Sequence, residues 1–387
     1  MHGSANPAGF GRAGCEDDWV TAQVLSTRVL NRTLLARQHL LERTTMPALA
    51  MVEHLVGMQA QEPKDPYVAL WSRLRDFDPA ELERLLLDKR AVRMALMRST
   101  IHLVSTEDAL AFRPVVQPVL DGELFRNKTW SVGLEGVDLD PVLALGRQLV
   151  EERPRSLAEL RVAMAERFPD RDAPNLAYAC RGLLPTFQVT PRGLWHTTGQ
   201  VRLTTLDTWS GRPLGAETAP DAMILRYLAA FGPAATSDVA AWTRLTGLKE
   251  PMERLRPRLR TFRDERGREL FDVPGAPIAE ADVPAPVRFF PFYDNVYLSH
   301  ADRARIIPEE ARTSERSLVG GAAFSVDGFM AGFWTTKGKG HERTITLEPM
   351  TPLSGAQRRE TEAEALLLRR FLDAGGDAGP DPVRWST

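Results

Sequence analysis

Cysteine is almost missing from this chain of 387 residues, which holds only Cys15 and Cys180. Two cysteines, one of them close to the N-terminus, build neither a disulfide framework nor a thiolate zinc site. Histidine is scarce as well: the seven residues are scattered and form no H-x-x-x-H pair, so no metal or other cofactor is expected. No apolar run approaches the roughly 20 residues that a membrane-spanning helix needs. The opening "MHGSANPAGFGRAGCEDDW" lacks the basic-then-apolar order of a signal peptide. Residues 1–25 are therefore expected to form a flexible leader, and the chain to be cytoplasmic with no membrane contact. A strong charge of either sign is also lacking. The net charge of −2 argues against a simple polyanion binder but does not exclude one, because binding depends on where charges sit. Lysine is rare: of 49 basic residues six are lysine and 43 arginine. That bias fits a GC-rich genome and equally suits bidentate phosphate contacts, and composition does not separate the two.

What is present reads as a soluble globular protein, 43% hydrophobic and 26% charged, long enough for two to four compact units. One pattern occurs three times. "PAELERLLLDKRAVRMALMRSTIHLV" opens a helix at Pro79, runs on Leu82, Leu85 and Leu86 at helical spacing, and turns through Arg98–Thr100 into a two-stranded ribbon. "APNLAYACRGLL" followed by "TFQVT", "PRG" and "LWHTT" repeats the order, as does "KEPMERLRPRL" followed by "TFRDE", "RG" and "ELFDV". Two apolar helical segments precede each: Met46–Val56 and Pro66–Leu74, Pro141–Glu151 and Leu157–Phe168, Ala222–Ala230 and Ser237–Arg244. Helices followed by a β-ribbon are the order of a winged helix. From about Val287, after the Pro-rich "VPGAPIAEADVPAP", short strands rich in aromatics, Val, Thr and Gly predict an antiparallel barrel or curled sheet, then a last helix ending at Gly375 and Gly376. The expected class is α+β: three tandem winged-helix units over 26–135, 136–215 and 216–275, with a C-terminal antiparallel β-barrel and final helix over 276–387.

With that order in hand, "VGMQAQEP", "MRSTIHLVS" at 97–105, "FFPFYDNVYLSHADRARI" at 289–306 and "VDGFMAGFW" at 326–334 resemble the winged-helix DNA glycosylases of the AlkZ/YcaQ type, from about residue 28 to the final helix. The resemblance implies three winged helices around a DNA channel plus the barrel. It also implies a motif of two polar residues flanking one, Gln-x-Gln in the branch that protects antibiotic producers and Gln-x-Asp in a broader-specificity branch. Gln59 and Gln61 match the first form. By resemblance they position the attacking water, and the substrate is a purine alkylated at N7 by a DNA-reactive natural product such as azinomycin. The implied partner is double-stranded DNA carrying such purines, with a monomer and no obligate protein partner expected.

The chemistry agrees with amides in that place. Enzymes that break ordinary glycosidic bonds commonly supply a carboxylate to stabilise an oxocarbenium-like state or take the water's proton. A glutamine amide is neutral and hardly basic, but it can hold and orient a water. N7-alkylation makes the purine a cation that leaves as a neutral base, so positioning carries much of what remains. If the segment is extended, i and i+2 share a face and both amides address one water. The plain structural alternative is that both merely cap a helix end.

Other candidates are basic. Lys89, Arg90, Arg93, Arg98 and His102 fit phosphate contacts beside the glutamines, or a solvated helix end with favourably placed cations. Arg263 and Arg266 lie in the third ribbon among Arg256, Arg258, Arg260 and Arg268, where a basic wing would track a groove. Lys337 and Lys339 sit in the Gly-rich "TTKGKGHE", which suits close approach to a phosphate or an ordinary hairpin turn, and which lacks the P-loop spacing. Asp294, Asn295 and His300 allow a metal or acid–base reading, and equally the reading that they tie a strand to its neighbours. The competing function is a winged-helix regulator or lesion sensor without catalysis.

Overall fold

The computed structural model describes residues 23–311, 321–373 and 382–386. The expected leader and the Gly375–Gly376 helix end lie outside these, except that Val24 and Leu25 form a strand. Along the described chain run β1 (Val24–Leu25), β2 (Met58–Gln59), β3 (Ala91–Ala95), β4 (Ile101–Ser105), β5 (Thr186–Gln188), β6 (Leu203–Thr205), β7 (Arg260–Asp264), β8 (Glu269–Asp272), β9 (Arg288–Phe290), β10 (Ala323–Val326), β11 (Phe329–Lys337), β12 (Thr344–Pro349) and β13 (Val383–Trp385). The early helices are α1 (Thr27–Arg37), α2 (Ala48–His54), α3 (Asp65–Arg73), α4 (Pro79–Leu87) and α5 (Thr106–Arg126). The fold is mixed α/β.

Helices form where periodicity and caps predict them. Asp78 accepts from Ala80 N, Pro79 takes the first turn where its missing N–H costs nothing, and Leu82, Leu85 and Leu86 are buried. Ser156 and Glu159 close a reciprocal capping box ahead of the helix Leu157–Arg167.

The ribbons depart from three independent wings. The first two merge into one antiparallel sheet in the order β2-β4-β3-β5-β6, joined by Arg93↔Gln188 and Met94↔Phe187. The partner of β5 is β6, not the expected 194–198 segment. That segment turns instead, because Trp195 is buried against Tyr67 with ring centroids 4.7 Å apart, and the Tyr67 hydroxyl donates to Gly193 O. The third ribbon, β7–β8, stands as read and gains β1 in parallel.

The expected antiparallel barrel is corrected to an open sheet. Among the described residues the order β13-β12-β11-β10-β9 does not close, and β13 runs parallel to β12. Its apolar residues Phe289, Phe324, Ile345 and Leu347 pack with Tyr67, Val68 and Trp71 of α3 and with Ala365 and Leu368 of the helix Gly355–Leu372. A sheet face already covered by helices has no uncovered apolar surface left for closure to bury.

Two apolar cores meet at the segment that carries the glutamines. Val56 belongs to the core shared by α1, β3, β4, α5 and the helices Asp221–Phe231 and Thr236–Thr243. Met58 and Ala60 belong to the core that α2, α3 and α4 share with the C-terminal sheet.

Candidate active site

The chain leaves α2 through two left-handed residues, Val56 (φ 55°) and Gly57 (φ 89°). A Cβ on Gly57 would lie 2.5 Å from Val104 Cγ1, so only glycine fits. The reversal delivers β2 as the edge strand of its sheet, with Gln59 opposite His102. Strand alternation then sends Met58 and Ala60 into the core and Gln59 and Gln61 to the other side. This is the reason for two amides spaced i, i+2 just past a helix end.

The two amides are not equivalent in burial or in partners. Gln59 is 7% exposed, and its Oε1 accepts from Arg98 Nη2 at 2.8 Å. The same nitrogen lies 3.2 Å from His102 Nε2, while Arg98 Nη1 donates to Trp242 O at 2.6 Å. His102 Nδ1 sits 2.9 Å from Thr100 O, so the ring donates there and offers Nε2 as acceptor to the guanidinium. Burial, then Arg98, push His102 down to about 3, and it stays neutral at working pH. Burial, then Arg244 and Arg303, lower Arg98 to about 10. Gln61 is exposed, and its Oε1 accepts only a long bond from Ile101 N at 3.3 Å. The arrangement leaves one Gln61 lone pair and the NH₂ groups of both amides to address a water.

Beside Gln59 a cleft of about 10 Å³ is lined also by Met58, Arg73, Tyr293 and Asp294. That is about the space of a single water and far below that of a purine. Behind the site, Asn295 Nδ2 donates to Gly57 O at 2.7 Å, and Asp294 forms a bidentate pair with Arg73 at 2.7 and 2.9 Å. The "YDNVY" stretch thus clamps the glutamine segment, and His300 lies buried against Ser299 Oγ at 2.8 Å. Among the described residues no cluster of His, Cys, Asp and Glu could hold a metal.

The basic candidates scatter. Arg98 and His102 join the site. Arg93, read as a phosphate contact, is 2% exposed and instead donates to Ala60 O at 2.7 Å and Gln188 Oε1 at 3.0 Å, bracing the segment from below. Lys89 and Arg90 lie at the opposite end of the β3–β4 ribbon from Arg98, with Lys89 Nζ over the Trp209 ring. At the third ribbon Arg266 pairs with Asp302, and just before it Arg256 pairs with Glu253 and Glu269, which offsets part of the charge, while Arg263 donates to the neutral Gly267 O. Lys337 and Lys339 are exposed at the β11–β12 turn.

One group in the site region has no sequence signal. Asp65 opens α3 four residues past Gln61, is 7% exposed, and its Oδ2 has no hydrogen-bond partner. Burial, then Glu62 and Asp294, push it up to about 8. The folded protein keeps a proton there that the unfolded chain releases near pH 4, so this carboxyl weakens the fold as pH rises from about 4 to about 8. Asp65→Asn is expected to be the more stable protein, by an advantage that grows by up to about 4 kcal/mol between pH 5 and pH 8. Urea midpoints at the two pH values measure it, and an advantage unchanged with pH would place an ionised carboxylate in the fold.

The segment after α2 thus presents two neutral amides, with the carboxyl of Asp65 at the start of α3 held protonated nearby. The family model of DNA glycosylase AlkZ-like proteins matches residues 52–371. The chain belongs to the AlkZ-like DNA glycosylase family. Its fold matches that of the Streptomyces sahachiroi DNA glycosylase AlkZ, with a TM-score of 0.74 at 18% identity over 94% of this chain and 100% of that one. No curated protein sequence matches significantly. Family membership makes DNA the substrate. Among the described residues no helix is long and apolar enough to cross a membrane.

Proposed function

We propose that this protein is a monomeric, cytoplasmic, monofunctional DNA glycosylase that hydrolyses the N-glycosidic bond of bulky N7-alkylated purines, unhooks interstrand crosslinks, and so confers self-resistance to a genotoxic natural product. The observation that carries the reading is the pair Gln59, at the end of the edge strand β2, and Gln61, two residues on, with a cleft beside Gln59 of about 10 Å³. A bulky or crosslinked adduct cannot enter a snug base pocket, and none is needed when the base departs without an acid. In this reading Gln61 accepts a proton-side bond from the attacking water and Gln59, its carbonyl tethered by Arg98, orients the water through its NH₂. The three helix-and-ribbon units act as winged helices that grip the duplex, with Lys89, Arg90, Arg263, Arg266, Lys337 and Lys339 toward its phosphates.

The test is incubation with duplexes bearing an N7-methyl, a bulky N7 monoadduct or an N7 crosslink, reading abasic-site formation. Release from the bulky adducts supports the reading; release of uracil as ready as that of N7-alkylguanine would overturn it. For the β11–β12 turn, the double variant Lys337→Ala/Lys339→Ala is expected to lower the slope of log binding constant against log salt by up to about 2, with sequence preference unchanged. Anisotropy titrations across a salt series measure this, and an unaltered slope would leave the turn as an ordinary hairpin.

A further inference from the structure

The stretch "FFPFY" puts four aromatic rings into five residues and divides them into two pairs. Phe289 and Phe290 on β9 are buried, one in each of the two apolar cores. Phe292 and Tyr293, just past Pro291, belong to neither core among the described residues. Phe292 is 43% exposed, and its ring centroid lies 6.2 Å from that of Tyr293. A single exposed phenylalanine calls for no function. Its neighbour does.

Tyr293 holds its place against its own backbone. Its φ of 58° lies in the left-handed region that glycine or asparagine fills at turns, and that a bulky side chain takes only where its surroundings impose it. Those surroundings are the ones that fix the glutamine segment. Directly after Tyr293, Asp294 is held by Arg73 and caps Val296 N, and Asn295 donates to Gly57 O, just ahead of β2. Gln59 and Tyr293 line the same cleft of about 10 Å³, so amide and ring share a space about one water wide. A nucleotide does not fit inside it and has to lie against the residues that form it. There an aromatic face serves two needs at once. It replaces the stacking that a base loses when the duplex is opened or kinked. It also attracts a cation, and an N7-alkylated purine is one.

We propose that Phe292 and Tyr293 form a stacking platform for the damaged nucleotide, taking the cationic purine against their rings so that its sugar stands at the Gln59 cleft. The inference rests on the reading of Gln59 as the reaction site and of an N7-alkylated purine as the substrate. It gives the C-terminal unit a direct part in recognising the lesion: the turn after β9 both clamps the glutamine segment and presents the surface that the lesion meets. It also gives the site a preference that two neutral amides do not supply, since an aromatic face favours a charged base over an uncharged one of the same shape.

The probe is a duplex with one N7-methylguanine on a 2′-fluorinated sugar, whose fluorine opposes positive charge at C1′ and so slows base loss during binding. Its affinity is compared with that of the same duplex carrying guanine, by anisotropy across a salt series. Wild type should prefer the methylated duplex. Phe292→Ala should keep the thermal midpoint of wild type and weaken binding of the methylated duplex by about five- to 100-fold, with the guanine duplex little affected. The log–log salt slope should stay unchanged, because a ring displaces no counterions. Tyr293→Gly relieves the left-handed residue, so its midpoint should stay at or near that of wild type while the preference falls. Tyr293→Phe, which keeps the ring, should keep the preference. A wild type without preference, a preference unchanged in both Phe292→Ala and Tyr293→Gly, or equal losses on both duplexes would overturn the proposal. Base release is scored separately on the duplex without fluorine: wild type that prefers the lesion but releases nothing refutes the reaction-site reading, not the platform.

Discussion

Asp294→Ala is expected to destabilise the protein by about 3–5 kcal/mol, because it strands a buried cation. Arg73 and Asp294 have side-chain exposures of 0% and 1%, and their bidentate pair ties α3 to the segment after β9. An isolated guanidinium in that interior keeps its desolvation cost and loses the charge that offset it. Asp294 also accepts from Val296 N at 3.0 Å, holding the short turn from which Asn295 reaches Gly57 O. The loss should therefore appear twice: as a lower urea midpoint, and as weaker activity in whatever fraction remains folded at 25 °C. A double variant, Arg73→Met/Asp294→Leu, separates the causes, since removing both charges is commonly close to neutral where removing one is not. Recovery of the midpoint without recovery of activity would assign Asp294 to the placement of Gln59 as well as to stability. An Asp294→Ala midpoint equal to wild type would show that water reaches Arg73.

How far this could be read from sequence depends on the range of the interaction concerned. Helix bounds come within about two residues of the spacing-based expectation, as in Asp140–Glu152 against 141–151 and Leu157–Arg167 against 157–168, because periodicity and caps are local. The first and third ribbons were equally legible. The second failed at its far strand: "LWHTT" has strand composition, yet burial of Trp195 against Tyr67 outweighed that propensity, a contact 128 residues distant in sequence. Barrel closure failed for a related reason, since nothing in an alternating strand says whether another strand or a helix will cover it.

The site divides the same way. Spacing and surroundings single out Gln59 and Gln61 as candidates, and the sequence leaves the tying role of Asn295 as one of two readings. Arg93 was misread because an arginine in a ribbon looks alike whether it points to solvent or, as here, to Ala60 O. Asp65 carried no signal. An aspartate before proline is an ordinary helix opening, and only the fold shows that its carboxyl is enclosed. Arg98 was placed near the site, but its anchor on Trp242, 144 residues away, and its hold on Gln59 depend on how the third unit packs on the first.

Gln59→Ala should lower kcat for release of a bulky N7 adduct by about 100-fold or more, while KM and the affinity for duplex change little. The size follows from what positioning contributes when the leaving group is already activated: a displaced attacking group commonly loses about two orders of magnitude. The split between kcat and KM follows from burial. A side chain only 7% exposed offers little ground-state contact to DNA, so its removal is felt where water and sugar meet and hardly at all in binding. Gln61→Ala, on an exposed amide with one weak internal bond, should lose less, about tenfold, and should raise KM as well. The pH profile provides an independent reading. His102 stays neutral well below neutrality, and no imidazole or carboxylate is asked to carry a proton, so both variants should keep the wild-type profile between pH 5 and 7 at reduced amplitude. A Gln59→Ala profile that acquires a new slope in that range would mean that a titrating group, not a held water, had been supplying the rate. Parallel loss of kcat and duplex affinity would instead make Gln59 a structural tether for Arg98, leaving the candidate mechanism without its water.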